Sequence, residues 1–381
     1  MPRPALASFD RSISLAGTNE SGSGVTSSLN SCLCCEPIAG LARPGRRRFI
    51  AGAAAMGSLA AAGCTSIASG PTPRIDVHHH IVPPTWLAAL NKAKLGDPIL
   101  NDWTPQRSLD DMDAAGVTTS MTSPTIPALG FLGAKDAADI ARSSNEYARK
   151  LVDDSKGRFR MFALLPMPHV DETLKEMAYA LDVLKADGVA FMTSYGNQYL
   201  GDKAFAPVMD ELNRRKATAY THPNNPACCV NIASSVPPVI VEYGTDTSRT
   251  IASLIFSDTA KRCPDINFIF SHAGGTLTSL TDRFLVQIQR FPPYAKRGFT
   301  TERVLSEIRQ FYYDTAQASN PILMGALSKL VPMSQILFGS DYPYRTATEH
   351  VAGLAKIFNA SELRAIDYEN SRRIMPALRT L

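Results

Sequence analysis

Cysteine is scarce: the chain holds seven in 381 residues, and only Cys228, Cys229 and Cys263 lie beyond position 64. Three thiols make no disulfide framework for a chain of this size. No Cys/His pairing at zinc-finger spacing accompanies them, so they are expected as buried or half-buried thiols. Long apolar runs are missing too. The weakly apolar stretch from Phe49 to Gly63 is too short to span a bilayer as a mature helix. Charge of one sign is also in short supply: the formal net charge is +4, much of the excess sits in Arg43, Arg46, Arg47 and Arg48, and no nucleic-acid surface is implied. What remains is a chain with 45% hydrophobic residues, ordinary for a soluble globular protein whose partner is a small molecule.

Residues 1–73 stand apart, being rich in Ser, Gly and Ala. Arg46-Arg47-Arg48-Phe49-Ile50, a weakly apolar stretch and then Ala61-Ala62-Gly63-Cys64 resemble a twin-arginine export signal ending in a lipoprotein cleavage box. The expectation is an exported protein, periplasmic or membrane-anchored through a lipid on Cys64. A disordered cytosolic tail is the alternative, leaving a cytoplasmic protein.

From Arg74 onward strand-like and helix-like runs alternate with short connectors, as in an α/β fold with a parallel sheet. The predicted strands are Ile75 to His80, Val117 to Ser123, Phe159 to Leu165, Gly188 to Thr193, Ala217 to His222, Ile266 to His272, Phe311 to Thr315 and Gln335 to Asp341. Amphipathic runs between them include Ala138 to Asp154, Asp171 to Ala186, Ala204 to Lys216, Thr250 to Cys263, Pro321 to Leu330 and Thr348 to Phe358. This is the plan of a (β/α)8 TIM barrel forming one domain over 74–381, with its active site at the carboxyl ends of the strands. No Gly-x-Gly-x-x-Gly turn follows the first strand, which argues against a doubly wound open sheet. Asn224 to Thr247, with four prolines in or beside it, is expected to be a loop over the end of the fifth strand.

Four strand ends carry potential ligands. Asp76-Val77-His78-His79-His80 places two imidazoles on one face of the first strand, and Thr221-His222, Ser271-His272 and Ser340-Asp341 close three others. His78, His80, His222 and Asp341 make a plausible set for one divalent ion, Zn²⁺ first and Mn²⁺ second, with a position left for water or substrate. His272, followed by Gly274 and Gly275, is a ligand, an acid/base or a group behind the ligands. With four ligands already supplied, acid/base is favoured, and Asp341 is a second candidate for proton transfer. His169 and His350 fit surface or packing roles better. Arg283 is a candidate for binding a substrate carboxylate, and Trp86, Phe191, Tyr195 and Tyr342 for lining an aromatic pocket.

These motifs, with Ser271-His272-Ala273-Gly274-Gly275 and Gly339-Ser340-Asp341-Tyr342-Pro343, resemble the amidohydrolase-related decarboxylases, the branch holding aminocarboxymuconate semialdehyde decarboxylase and γ-resorcylate decarboxylase. Thr193-Ser194-Tyr195-Gly196 and Tyr199-Leu200-Gly201-Asp202 look more narrowly like 6-methylsalicylate decarboxylases. The resemblance implies that His78, His80, His222 and Asp341 hold the metal and His272 moves a proton. It also implies a homodimer in which Arg283 reaches the neighbouring subunit's substrate. Thr278, where many relatives have Pro, departs from the pattern. The activity implied is metal-dependent, non-oxidative decarboxylation of an aromatic ortho-hydroxy acid. The alternatives are hydrolysis of a lactone, ester or amide by metal-bound hydroxide, and a catalytically silent, lipid-anchored binding protein.

Overall fold

The computed structural model describes residues 73–229 and 235–380. The predicted export signal and Cys64 lie outside them. Eight parallel strands form one sheet: β1 (Arg74–His80), β2 (Val117–Ser123), β3 (Phe159–Leu164), β4 (Gly188–Met192), β5 (Thr218–His222), β6 (Asn267–Phe270), β7 (Tyr312–Asp314) and β8 (Ile336–Leu337), each beside the next in sequence. The eighth strand is shorter than predicted because the chain beyond Leu337 leaves β7 and runs along β1. The Val77 amide donates to the Phe338 carbonyl (2.9 Å), the Asp341 amide to that of His78 (2.8 Å) and the His80 amide to that of Tyr342 (2.8 Å). Those bonds bring the last strand's continuation against the first and draw the sheet round into a barrel.

Ile75, Val77, Met121, Phe162, Ala190, Tyr220, Ile269 and Leu337 fill the interior with one apolar cluster, packed together with Ile374, Met375 and Leu378 from the chain end. A second, larger apolar layer lies between strands and helices. Strict alternation cannot send both Val77 and its neighbour His78 inward. The β1–β2 register slips between Asp76 and His79, and this bulge lets apolar residues fill the lower barrel while His78 and His80 reach its carboxyl end. A bulge of this kind is invisible to a period-two reading of sequence.

Prolines start several of the helices, and one of these starts corrects the prediction. Between β1 and β2 lie helices Pro84–Ala93, Pro98–Asn101 and Pro105–Ala115, each opening on a proline whose missing N–H costs nothing in a first turn. The same device overturns the loop expected to run to Thr247. Pro237-Pro238 starts a helix, Pro238–Phe256, that extends to the rim of the barrel, and the run predicted as Thr250 to Cys263 is broken at Asp258 (φ 68°) into this helix and a short one, Thr259–Arg262. Among the described residues no helix is long and apolar enough to cross a membrane.

Candidate metal centre and active site

His78 and His80 are fully buried and their Nε2 atoms face each other at 3.2 Å. Each ring is turned by its other nitrogen: His78 Nδ1 lies 2.8 Å from Asp314 Oδ2, and His80 Nδ1 lies 3.2 Å from the Ser123 carbonyl. The His222 ring stands 5.2 Å from that of His78 and 4.8 Å from that of His80, with Nδ1 2.9 Å from the Pro223 carbonyl. All three Nδ1 atoms therefore have acceptors to donate to, so the three Nε2 lone pairs remain, gathered in one place. Into the same place comes Asp341, whose Oδ1 is 3.1 Å from Nε2 of both His78 and His80. One ligand atom each from His78, His222, His272 and Asp341 lie within 4.8 Å of one another.

Asp341 Oδ2 faces the other way. It lies 3.2 Å from His272 Nε2 and accepts from Gln317 Nε2 at 2.8 Å. Asp341, His272, Ala273 and Gln317 all have positive φ (66°, 54°, 56° and 56°), a conformation that side chains with a Cβ seldom adopt, so backbone strain is concentrated where the functional groups converge. Two glycines let the backbones close up there. A Cβ on Gly275 would stand 1.9 Å from the Gly244 carbonyl oxygen, and one on Gly339 would stand 2.9 Å from His78 Cβ.

Two carboxylates behind the centre hold it in shape. Asp314 bonds His78 Nδ1 with one oxygen and accepts from the His272 amide (2.8 Å) and the Ala316 amide (3.1 Å) with the other. Asp76 accepts from the amides of His78 and Ser340 (both 3.0 Å) and from Ser340 Oγ (2.6 Å), and lies 3.2 Å from His79 Nδ1, which ties β1 to the segment carrying Asp341. His79 faces outward to Ser108 Oγ at 2.9 Å.

The electrostatics fit a cation. Burial by itself would lower the His78 pKa, yet the Asp341 and Asp314 carboxylates around it raise it to about 10. Burial lowers that of His80 despite Asp341, and burial, with His80 and His78 next in weight, puts His222 well below its ordinary range. Burial would push Asp341 up, but His78 and the bonds from His272, His78 and His80 hold it well below the usual carboxylate range. Two buried carboxylates thus favour positive charge at this point, and a divalent ion taking the place of the His78 proton would supply it, leaving three converging Nε2 lone pairs and one carboxylate as its donor set.

The centre forms the floor of a cavity of about 1040 Å³. His222, His272, Asp341 and Gln317 line it, with Tyr243 and Tyr344 beside them. Sequence reasoning missed Gln317, Tyr243, Tyr344, Asp76 and Asp314. The last closes β7 as a ligand closes its neighbours, so its strand-end position is a signal of the same kind. The three residues expected to bind substrate lie elsewhere. Trp86 and Phe191 are fully buried in the outer apolar layer, the former donating to the Ala128 carbonyl at 2.9 Å. Arg283 is exposed on the helix Leu277–Arg290, outside its own chain's cavity. Tyr195 is buried, and Tyr342 stacks on His79 at 4.8 Å. His169 bonds the Leu132 carbonyl and His350 pairs with Ser319 Oγ, both outside the cavity lining. Cys229 and Cys263 are buried and Cys228 is exposed.

Residues 75–376 match the amidohydrolase family. The chain is 36% identical over 308 residues to decarboxylase macB of Penicillium terrestre, covering 75% of this chain and 89% of that one. It is 36% identical over 277 residues to the 6-methylsalicylic acid decarboxylase of Penicillium expansum, covering 71% and 85%. Among solved structures, a dihydroxybenzoic acid decarboxylase from Polaromonas sp. with bound manganese and the inhibitor 2-nitroresorcinol superposes with a TM-score of 0.72 at 18% identity, over 80% of this chain and 97% of that one.

Proposed function

The chain belongs to the amidohydrolase family, and from that premise we propose that it is a metal-dependent, non-oxidative decarboxylase of an aromatic acid with a hydroxyl ortho to the carboxylate, like its relatives named for 6-methylsalicylic acid. The observation that carries the reading is the arrangement at the cavity floor: converging imidazole lone pairs with Asp341, and a His272–Asp341 pair facing the space above. His78, His80, His222 and Asp341 are assigned to the ion, Zn²⁺ before Mn²⁺. When bound, the ion supplies positive charge for the substrate carboxylate and the adjacent phenolic oxygen.

His272 is assigned to proton transfer because it lines the cavity and is partly accessible, whereas His78 and His80 are sealed behind it. Direct loss of CO₂ would strand an electron pair in an aryl carbanion, so the ring carbon bearing the carboxylate is protonated first. His272 Nε2, or Asp341 Oδ2 once it has received a proton from His272, delivers that proton, and the electrons of the breaking C–C bond then return to the ring as CO₂ departs. Gln317, by donating to Asp341 Oδ2, holds the carboxylate toward His272. Tyr243 and Tyr344 offer aromatic faces beside the ring, and no nicotinamide, flavin or pyridoxal is needed.

The test is CO₂ release from 6-methylsalicylate by metal-loaded protein, with a chelator-treated control. Chelator-sensitive release is expected, and substrate loss without CO₂ would replace decarboxylation with hydrolysis. A homodimer in which the exposed Arg283 serves the other subunit's substrate belongs to the same reading. Mixing inactive Arg283→Ala and His272→Ala proteins should then restore activity, because mixed dimers hold one intact site. For the leader we propose twin-arginine export and a lipid on Cys64, checked by cell fractionation and mass spectrometry of the amino-terminal peptide.

A further inference from the structure

The cavity is larger than one substituted benzoate needs, and part of its lining is aliphatic. At about 1040 Å³ it stands at the upper end of the roughly 300–1,000 Å³ that holds a drug-sized ligand. His222, His272, Asp341 and Gln317 meet at its floor, and Thr125, Asn225, Thr245 and Thr276 also line it. The lining also carries a set of aliphatic and proline side chains, Ile126, Pro127, Pro238, Val239, Ile240 and Leu323. Along the first turn of the helix Pro238–Phe256, Val239, Ile240 and Val241 are 59%, 69% and 52% exposed, an unusual concentration of aliphatic side chains left open to water. No lysine or arginine is among the described residues lining the cavity, and its one carboxylate besides Asp341 is Asp97.

From these observations we propose that the preferred substrate is a mono-anionic ortho-hydroxybenzoate carrying an apolar tail longer than methyl, and that this tail lies along the wall formed by Val239, Ile240 and Leu323. The inference rests on the decarboxylase reading for the head of the substrate and on the wall alone for its tail. A single aromatic ring would leave the aliphatic wall wet, whereas an alkyl or isoprenoid tail would remove both surfaces from water, a gain proportional to the area covered. A second carboxylate on the tail would meet no cation in the lining and would face the charge of Asp97.

The test uses the metal-loaded full chain and a series of 2-hydroxybenzoates bearing methyl, propyl or pentyl at position 6, plus a pentyl member ending in a carboxylate. Binding is followed by calorimetry and turnover by CO₂ release. Affinity is expected to tighten along the apolar series by up to about fourfold for each methylene fully buried, and to be lost again with the terminal carboxylate. In Ile240→Asp the pentyl-to-methyl ratio of affinities should fall toward one. Tightening without CO₂ would keep the tail site and overturn the decarboxylase reading. CO₂ release with affinity flat or falling along the series would do the reverse. Neither tightening nor CO₂ would overturn both.

Discussion

The seam between β1 and the chain running from Phe338 to Tyr342 differs sharply from the rim above β5. At the seam the polar side chains are buried and bonded: Asp76 spans both segments, Asp314 aims His78, and the ligand candidates converge on one point. At the rim the helix Pro238–Phe256 begins with Val239, Ile240 and Val241, aliphatic side chains that line the cavity and stay largely exposed. The contrast separates reaction from selection. A buried polar network tolerates few arrangements, because each unmet donor or charge is costly, whereas an apolar wall can change freely as long as it stays apolar.

The largest effects should therefore come from the seam. His78→Ala or Asp341→Ala is expected to abolish both metal binding and CO₂ release, read by elemental analysis and headspace CO₂. Full turnover in either variant would remove that residue from the metal set. Asp314→Asn places an amide where His78 Nδ1 needs an acceptor and should weaken metal affinity or turnover by about 10–100-fold without unfolding the barrel, measured by competitive metal titration. Were it silent, the ordering of the seam would owe nothing to that carboxylate.

Two stability experiments sharpen the comparison. Gly275→Ala must open the approach to the Gly244 carbonyl oxygen and adopt a strained φ of +64°, so a loss of about 1–3 kcal/mol is expected in urea unfolding. His350 is buried beside Ser319, and burial, with Arg345 next, lowers its pKa to about 4. The unfolded chain, with an ordinary value near 6.5, takes up that proton first. Stability should thus fall as pH drops from about 6.5 toward 4 and level off below, by up to ~3 kcal/mol. His350→Gln, compared with the parent in chelator, should flatten that part of the profile, and an unchanged slope would mean the histidine titrates normally when folded. The smallest change belongs to the rim: Ile240→Ser should leave unfolding within about 0.5 kcal/mol of the parent.

The same contrast governs how much was legible in the sequence. All eight strands were readable, because each is a β-branched, aromatic or apolar run between turn signals, and five ligand or acid/base candidates converge. Strand-end position was enough to find them, since a barrel brings all its carboxyl ends to one face. Trp86 and Phe191 went astray because aromatic residues near strand ends serve the core as readily as a pocket. Gln317 was hidden because a neutral amide in a connector carries no signal of its own and matters only through the carboxylate it touches. The rim was misread as loop because Pro237-Pro238 reads equally as a break and as a helix start.

The most direct test of the central claim is to strip the protein of metal, return divalent ion in measured fractions, and follow CO₂ release from 6-methylsalicylate at each step. The account predicts no release from the stripped protein and a linear rise that stops at one ion per chain. Release that persists in the stripped protein, or a fully loaded protein that releases none, would contradict it.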